Sequence, residues 1–157
     1  MLKLYDGYEC KLDNKGRVLL PTKLKSELAG IIEKGFILKR SIFSQCLELW
    51  PKDVWEEKLV EVNKLNRFVK KNADFIRRFL AGVTTIEVDS GGRINLPNHL
   101  MAFAGITKSI VITSQLDILE LWDKDRYEAK VGFDDEADDF GDLAEEVMGG
   151  KPPQNQQ

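Results

Sequence analysis

The chain has 157 residues, 43% of them hydrophobic, with 23 Lys and Arg against 26 Asp and Glu and a formal net charge of −3. That length can bury a real core and suits one pseudo-symmetric domain built from two halves. Two distant cysteines and one histidine argue against a disulfide scaffold or a zinc site, and no run of about 18 apolar residues marks a membrane span. The charge is uneven: residues 133–157 carry a net −7 and leave +4 on the rest. An acidic total therefore does not argue against a nucleic-acid partner for the body of the chain.

The opening Met1-Leu2-Lys3-Leu4-Tyr5-Asp6 lacks the pattern of a secretory signal, so a cytoplasmic protein is expected. Tyr8 to Leu12 alternates, with Tyr8, Cys10 and Leu12 on one face, and reads as a half-buried strand. The stretch Asp13-Asn14-Lys15-Gly16-Arg17 follows. Asp13 can fold its carboxylate onto nearby backbone N–H groups, and Gly16 accepts a positive φ, so a tight turn is predicted with Arg17 at its exit. Val18 to Leu20 is a short strand, and Pro21 heads a helix from Thr22 to Gly30 with Leu24 and Leu28 on its buried side.

Two further strands are expected over 35–39 and 46–50, closed by Trp50-Pro51, with Asp53 as cap of the next helix. Trp55, Leu59, Val62 and Leu65 recur there at helical spacing and read as a core stripe. The helix is expected to break near Asn72 and restart, forming a hairpin with a basic cluster of Arg67, Lys70, Lys71, Arg77 and Arg78. Those five residues are candidates for phosphate or interface contacts, against the plainer reading of a solvated helix face. Near the C-terminus, Asp142 to Gly149 reads as a short helix capped by Asp142, and residues 150–157 as disordered.

One pattern organises all of this. Asp13-Asn14-Lys15-Gly16-Arg17-Val18-Leu19-Leu20-Pro21 returns 76 positions later as Asp89-Ser90-Gly91-Gly92-Arg93-Ile94-Asn95-Leu96-Pro97. Leu47-Glu48-Leu49-Trp50 likewise returns as Leu119-Glu120-Leu121-Trp122. The chain is a tandem repeat. The expected fold is α+β and mostly β, with pseudo-symmetric repeats at 1–52 and 83–132, a helical segment at 53–82 between them, and an acidic tail at 133–157.

Two accounts of the repeated turn stand side by side. Asp13 and Arg17 could simply pair, but an exposed ion pair contributes only about 0 to 1 kcal/mol. Alternatively the turns present Arg17 and Arg93 side by side for phosphates or guanine edges. Lys15 belongs to the first copy alone, since Gly91 replaces it in the second. His99 has no Ser, Asp or Glu partner in a catalytic order, so no enzyme, cofactor, metal or small-molecule substrate is expected.

The double Asp-x-x-Gly-Arg-x-x-x-Pro unit, the two Leu-Glu-Leu-Trp strands and the segment Phe75-Ile76-Arg77-Arg78-Phe79-Leu80-Ala81-Gly82 together resemble the MraZ family, the two-repeat bacterial branch of the SpoVT-AbrB family. The resemblance covers residues 1 to about 148. It implies a swapped-hairpin AbrB-like fold and a cytoplasmic, nucleoid-associated transcriptional regulator. It further implies assembly in rings on repeated promoter elements in double-stranded DNA, including those of its own division and cell-wall operon. Carried over by motif, Arg17 and Lys15 are the implied DNA contacts and Arg93 the second-copy contact. Asp13 and Asp89 hold the turns, with Gly16 and Gly92 shaping them. The competing expectation is a scaffold ring whose turns bind protein rather than DNA.

Overall fold

The computed structural model describes residues 2, 4–132 and 139–150. The first half runs β1 (Tyr8–Lys11), β2 (Arg17–Leu19), α1 (Thr22–Glu27), α2 (Ala29–Ile32), β3 (Phe36–Arg40), β4 (Leu47–Pro51), α3 (Lys52–Asn63) and α4 (Lys70–Leu80). The second half repeats that order, with a single helix in the place of α1 and α2, as β5 (Thr84–Ile86), β6 (Arg93–Asn95), α5 (Asn98–Ala104), β7 (Ser109–Gln115), β8 (Ile118–Asp123), α6 (Lys124–Val131) and α7 (Phe140–Met148).

The six-stranded antiparallel sheet has the order β1-β7-β8-β4-β3-β5, and β2 pairs with β6 in a separate two-stranded ribbon. Exchanging each strand for its repeat counterpart reverses the sheet order onto itself. A pseudo-twofold axis therefore runs between β4 and β8, where Glu48 faces Glu120, and through the ribbon, where Val18 faces Ile94. Neither half is self-contained. β1 pairs with β7 of the second repeat and β5 with β3 of the first, so each opening strand is exchanged into the other half. This is an α+β, swapped-hairpin architecture, as the family resemblance implied, although its helices hold more residues than its strands, so it is not mostly β.

Strand alternation then places the core. Phe36, Leu38, Leu49, Leu121, Ile110 and Ile112 project from one face of the sheet onto Val18 and Ile94 of the ribbon and Leu24 and Leu100 of α1 and α5. Fully burying such a side chain stabilises by about 1.5 to 3 kcal/mol, so this layer dominates the fold. The opposite face carries Ile37, Trp50 and Ile118 beneath Trp55 and Val62 of α3 and Phe79 of α4. Trp55 stacks on Phe79 at 5.4 Å and meets Trp50 edge-on at the same distance.

Several local expectations are corrected. The helix after Pro21 stops at Glu27, because Leu28 (φ −97°, ψ 7°) leaves the helical region; α2 then contains Gly30, and Gly35 at φ +85° ends the segment. The break between α3 and α4 lies at 64–69, not at Asn72. There Asn66 Oδ1 accepts from the Phe68 N–H at 3.0 Å, and Asn72, already in α4, donates its Nδ2–H to the Asn66 carbonyl. Asp53 does not cap α3; Pro51 occupies that position, and Asp53 pairs instead with Lys34 at 2.8 Å. Asp142 lies inside α7, whose first residue is Phe140. Of the disordered end expected over 150–157, residues 151–157 lie outside the described residues.

Both cysteines are free and buried. Burial pushes the Cys10 thiol up to about 11 and the Cys46 thiol up to about 12, which keeps both protonated and inert.

Candidate nucleic-acid interface

The two turns are built alike. Asp13 Oδ1 accepts from the N–H groups of Lys15 and Arg17, both at 2.9 Å, and the Gly16 N–H donates to the Asp13 carbonyl at 3.1 Å. Asp89 Oδ1 accepts in the same way from Gly91 and Arg93 at 2.9 Å, with Gly92 N–H on the Asp89 carbonyl at 3.0 Å. Gly16 (φ +74°) and Gly92 (φ +79°) take the left-handed conformation that closes each turn. The Arg17 N–H on its oxygen, more than the adjacent guanidinium, holds the Asp13 carboxyl below its ordinary range.

The turns also lock the two repeats together. The Leu96 N–H donates to the Gly16 carbonyl at 2.9 Å, and the Leu20 N–H to the Gly92 carbonyl at 3.0 Å. Each glycine carbonyl thus receives the exit of the other repeat's short strand.

Arg17 and Arg93 do not stand side by side. In the ribbon Arg17 faces Asn95 and Arg93 faces Leu19, so the arginines hold diagonal corners of one face, a spacing of roughly 7 to 8 Å or somewhat less at the Cβ atoms. Val18 and Ile94 between them turn into the core, which sends Arg17, Leu19, Arg93 and Asn95 outward together. The two turns accordingly project from opposite ends of the ribbon.

The arginines differ in their partners. Arg17 Nε donates to Asp13 Oδ2 at 2.7 Å. Arg93 makes no such pair among the described residues; its Nη1 lies 2.6 Å from the point where a Cβ on residue 91 would stand. Gly91 leaves that space open, whereas Lys15 brings a Cβ at the same position of the first turn. The Lys15 side chain itself is exposed and has no acidic partner among the described residues.

Sequence reasoning missed one cation. Lys25 Nζ, from α1 of the first repeat, lies 2.7 Å from the Cβ position of Gly92 in the second. The charge absent at Gly91 is thereby supplied across the axis. The repeat alignment conceals this, because Lys25 corresponds to Met101, whose Sδ takes the matching place 3.3 Å from the Cβ position of Gly16.

The basic cluster Arg67, Lys70, Lys71, Arg77 and Arg78 is not gathered with the turns. It lies on the α3–α4 connection and on α4, which packs on the sheet face opposite the ribbon, and Arg77 is paired with Asp74 at 2.9 Å. His99 is exposed, and the described residues hold no cluster of three or more His, Cys, Asp or Glu fit for a metal. No described helix is long and apolar enough to cross a membrane.

This fold and this face define a class: a fused two-repeat swapped-hairpin protein whose paired turns display cations on a short β-ribbon. A family model described as "MraZ protein, putative antitoxin-like" matches the chain twice, over residues 4–78 and 79–145. The chain is 53% identical to the transcriptional regulator MraZ of Christiangramia forsetii over 149 residues, 95% of each chain. It is 56% identical to the protein of that name from Flavobacterium psychrophilum over 142 residues, 90% of this chain and 89% of the relative. With the one from Bacteroides fragilis it shares 32% over 149 residues, 94% of this chain and 92% of the relative. The chain belongs to the MraZ family, whose named members are regulators and not enzymes.

Proposed function

We propose that the chain is a transcriptional regulator that binds double-stranded DNA through the outward face of the β2–β6 ribbon. The observation that carries this is the convergence of Arg17, Arg93, Lys15 and Lys25 on one ribbon and its two turns, with one acidic pair, Asp13 to Arg17, among them. A major groove about 12 Å wide admits a two-stranded ribbon, and Arg is the side chain that reads guanine bidentately. Asp13 orients the Arg17 fork; DNA phosphates compete for the same donors.

In this reading Arg17 and Lys15 are the principal contacts, Arg93 and Lys25 secondary ones, and Asp13, Gly16, Asp89 and Gly92 shape the turns. A few cations per chain give only roughly 10⁻⁴ to 10⁻⁶ M for non-specific binding at physiological salt. Joining several chains in a ring over evenly repeated promoter elements raises avidity by about 10² to 10⁴. That arrangement suits a nucleoid-associated protein acting on its own division and cell-wall operon. The protein-scaffold reading is less favoured because the turns display cations rather than an apolar surface.

The test is binding of the wild type and of Arg17→Ala, across a salt series, to a fragment from upstream of the protein's own gene. A steep negative slope of log affinity against log salt, weakened in a variant of unchanged oligomeric size, is expected. Equal binding by both proteins, or by neither, overturns the reading.

A further inference from the structure

The β3–β4 connection, residues 41–46, stands out from its counterpart at 116–117 between β7 and β8, which is shorter. The longer connection holds Ile42 and Phe43 in solvent, Phe43 at 94% exposure. With Phe75 of α4 and Phe103 of α5 these side chains line a groove of about 680 Å³. Its rim is cationic. Arg40, Lys71 and Arg78 border it, and the one acidic group there among the described residues, Asp74, is already paired with Arg77.

Helix α7 has the opposite character. Leu143, Val147 and Met148 are exposed along one side, while Asp139, Asp142, Glu145 and Glu146 supply four negative charges with no basic residue between 139 and 150. An amphipathic helix of this kind is stable when its apolar stripe is covered. Within one chain it is not covered at these positions, and Phe43 is not covered either.

We propose that α7 of one copy seats in the groove between the β3–β4 connection and α4 of a second copy, apolar stripe against Phe43 and Phe75, acidic face against Arg40, Lys71 and Arg78. The choice of groove follows from charge. In the second repeat Ser114 stands opposite Leu119 where Arg40 stands opposite Leu47, and the shorter connection carries Asp117, which repels α7. The contact joins unlike surfaces, so it propagates from copy to copy and closes only if the rotation does. It names the interface of the assembly proposed above and rests on that reading of the protein as an oligomer. It also gives the basic cluster on α4 a protein partner rather than a phosphate.

The test is disulfide trapping without DNA. Phe43→Cys and Val147→Cys are made in separate chains of different length and mixed under a mild oxidant; Cys10 and Cys46 are buried, and the wild type serves as the unlinked control. A linked heterodimer of the two chains, together with a drop in sedimentation mass for Phe43→Asp but not for Phe43→Leu, is the expected result. Closure of a Phe43→Cys/Val147→Cys chain on itself without a heterodimer, or no link at all, overturns the proposal. Because no DNA is present, either result leaves the Arg17 titration to be judged separately.

Discussion

Glu48 of β4 stands directly opposite Glu120 of β8 at the pseudo-twofold axis, two carboxylates facing one another in adjacent strands. Like charges so placed destabilise a sheet unless each has other partners. Here each accepts from an indole two residues on in its own strand, Trp50 Nε1–H to Glu48 and Trp122 Nε1–H to Glu120, both at 3.1 Å. Glu48 also lies 3.5 Å from the buried Lys39 ammonium, and Glu120 accepts from Cys46 Sγ at 3.7 Å.

Lys39 is therefore the charge that lets two glutamates meet. Burial lowers its pKa, its ammonium donates to the Arg40 carbonyl at 2.6 Å, and the ring of Phe79 lies 4.7 Å away. Lys39→Met leaves Glu48 short of its cation and is expected to destabilise by about 1 to 3 kcal/mol. Adding Glu48→Gln should recover most of that loss. Denaturant midpoints of the two single variants and the double variant test the coupling; additive losses would contradict it.

Asp13 sets the acid limit of the first turn. Its folded pKa lies below the unfolded value of about 3.9, so its contribution to stability is present above that value and is lost as pH falls through the folded pKa. Asp13→Asn should flatten the stability profile below about pH 4 and leave it otherwise similar in shape. Asp13→Ala removes the acceptor of two backbone N–H groups as well and should weaken both fold and DNA binding. Thermal melts across pH and a binding titration check both statements.

The neighbouring glycines of the second turn answer to different constraints. Gly92 is at φ +79° with Lys25 Nζ at 2.7 Å from its Cβ position, so Gly92→Ala should cost about 1 to 2 kcal/mol and displace Lys25. At Gly91 a Cβ would meet the flexible end of Arg93 at 2.6 Å and Asp89 Oδ1 at 3.3 Å. Gly91→Ala should change stability by about 0.5 kcal/mol or less, in line with an ordinary surface site, while moving the Arg93 guanidinium toward Asp89. Chemical denaturation separates the two.

Lys25 offers a check on the DNA face that the repeat alone does not suggest. Lys25→Ala should weaken DNA binding at all sequences alike and reduce the salt slope by about 1, as for the loss of one phosphate contact. Lys25→Arg should retain it. An unchanged slope in Lys25→Ala would place the ammonium outside the interface.

Phe79→Ala probes how α4 is held. Phe79 lies between Trp55 and Phe75 in two ring stacks, 5.4 and 5.5 Å apart, and covers Lys39. Its truncation should cost about 3 to 5 kcal/mol and raise hydrogen exchange first in α4.

The turns, their glycines and the tandem order were legible in the linear sequence because each depends on residues within about five positions of one another. Asp13 reaches Lys15 and Arg17, and Gly16 supplies its own φ. Boundaries were less legible where a side chain outside the window decides them. Leu28 ends α1 by turning into the shared core, and Asn66 rather than Asn72 shapes the α3–α4 connection.

By itself the sequence determined a two-fold repeat of an acid-anchored, glycine-closed turn with an arginine at its exit, since local hydrogen bonding and backbone sterics require nothing distant. Tertiary structure alone decided that the arginines stand diagonally on one ribbon face, that Lys25 replaces the charge missing at Gly91, and that the basic residues of α4 lie behind the sheet. The physical reason is the exchange of β1 and β5 between halves. Each turn is completed by backbone and side chains more than 60 positions away, and no periodicity in a single chain records which of those will meet.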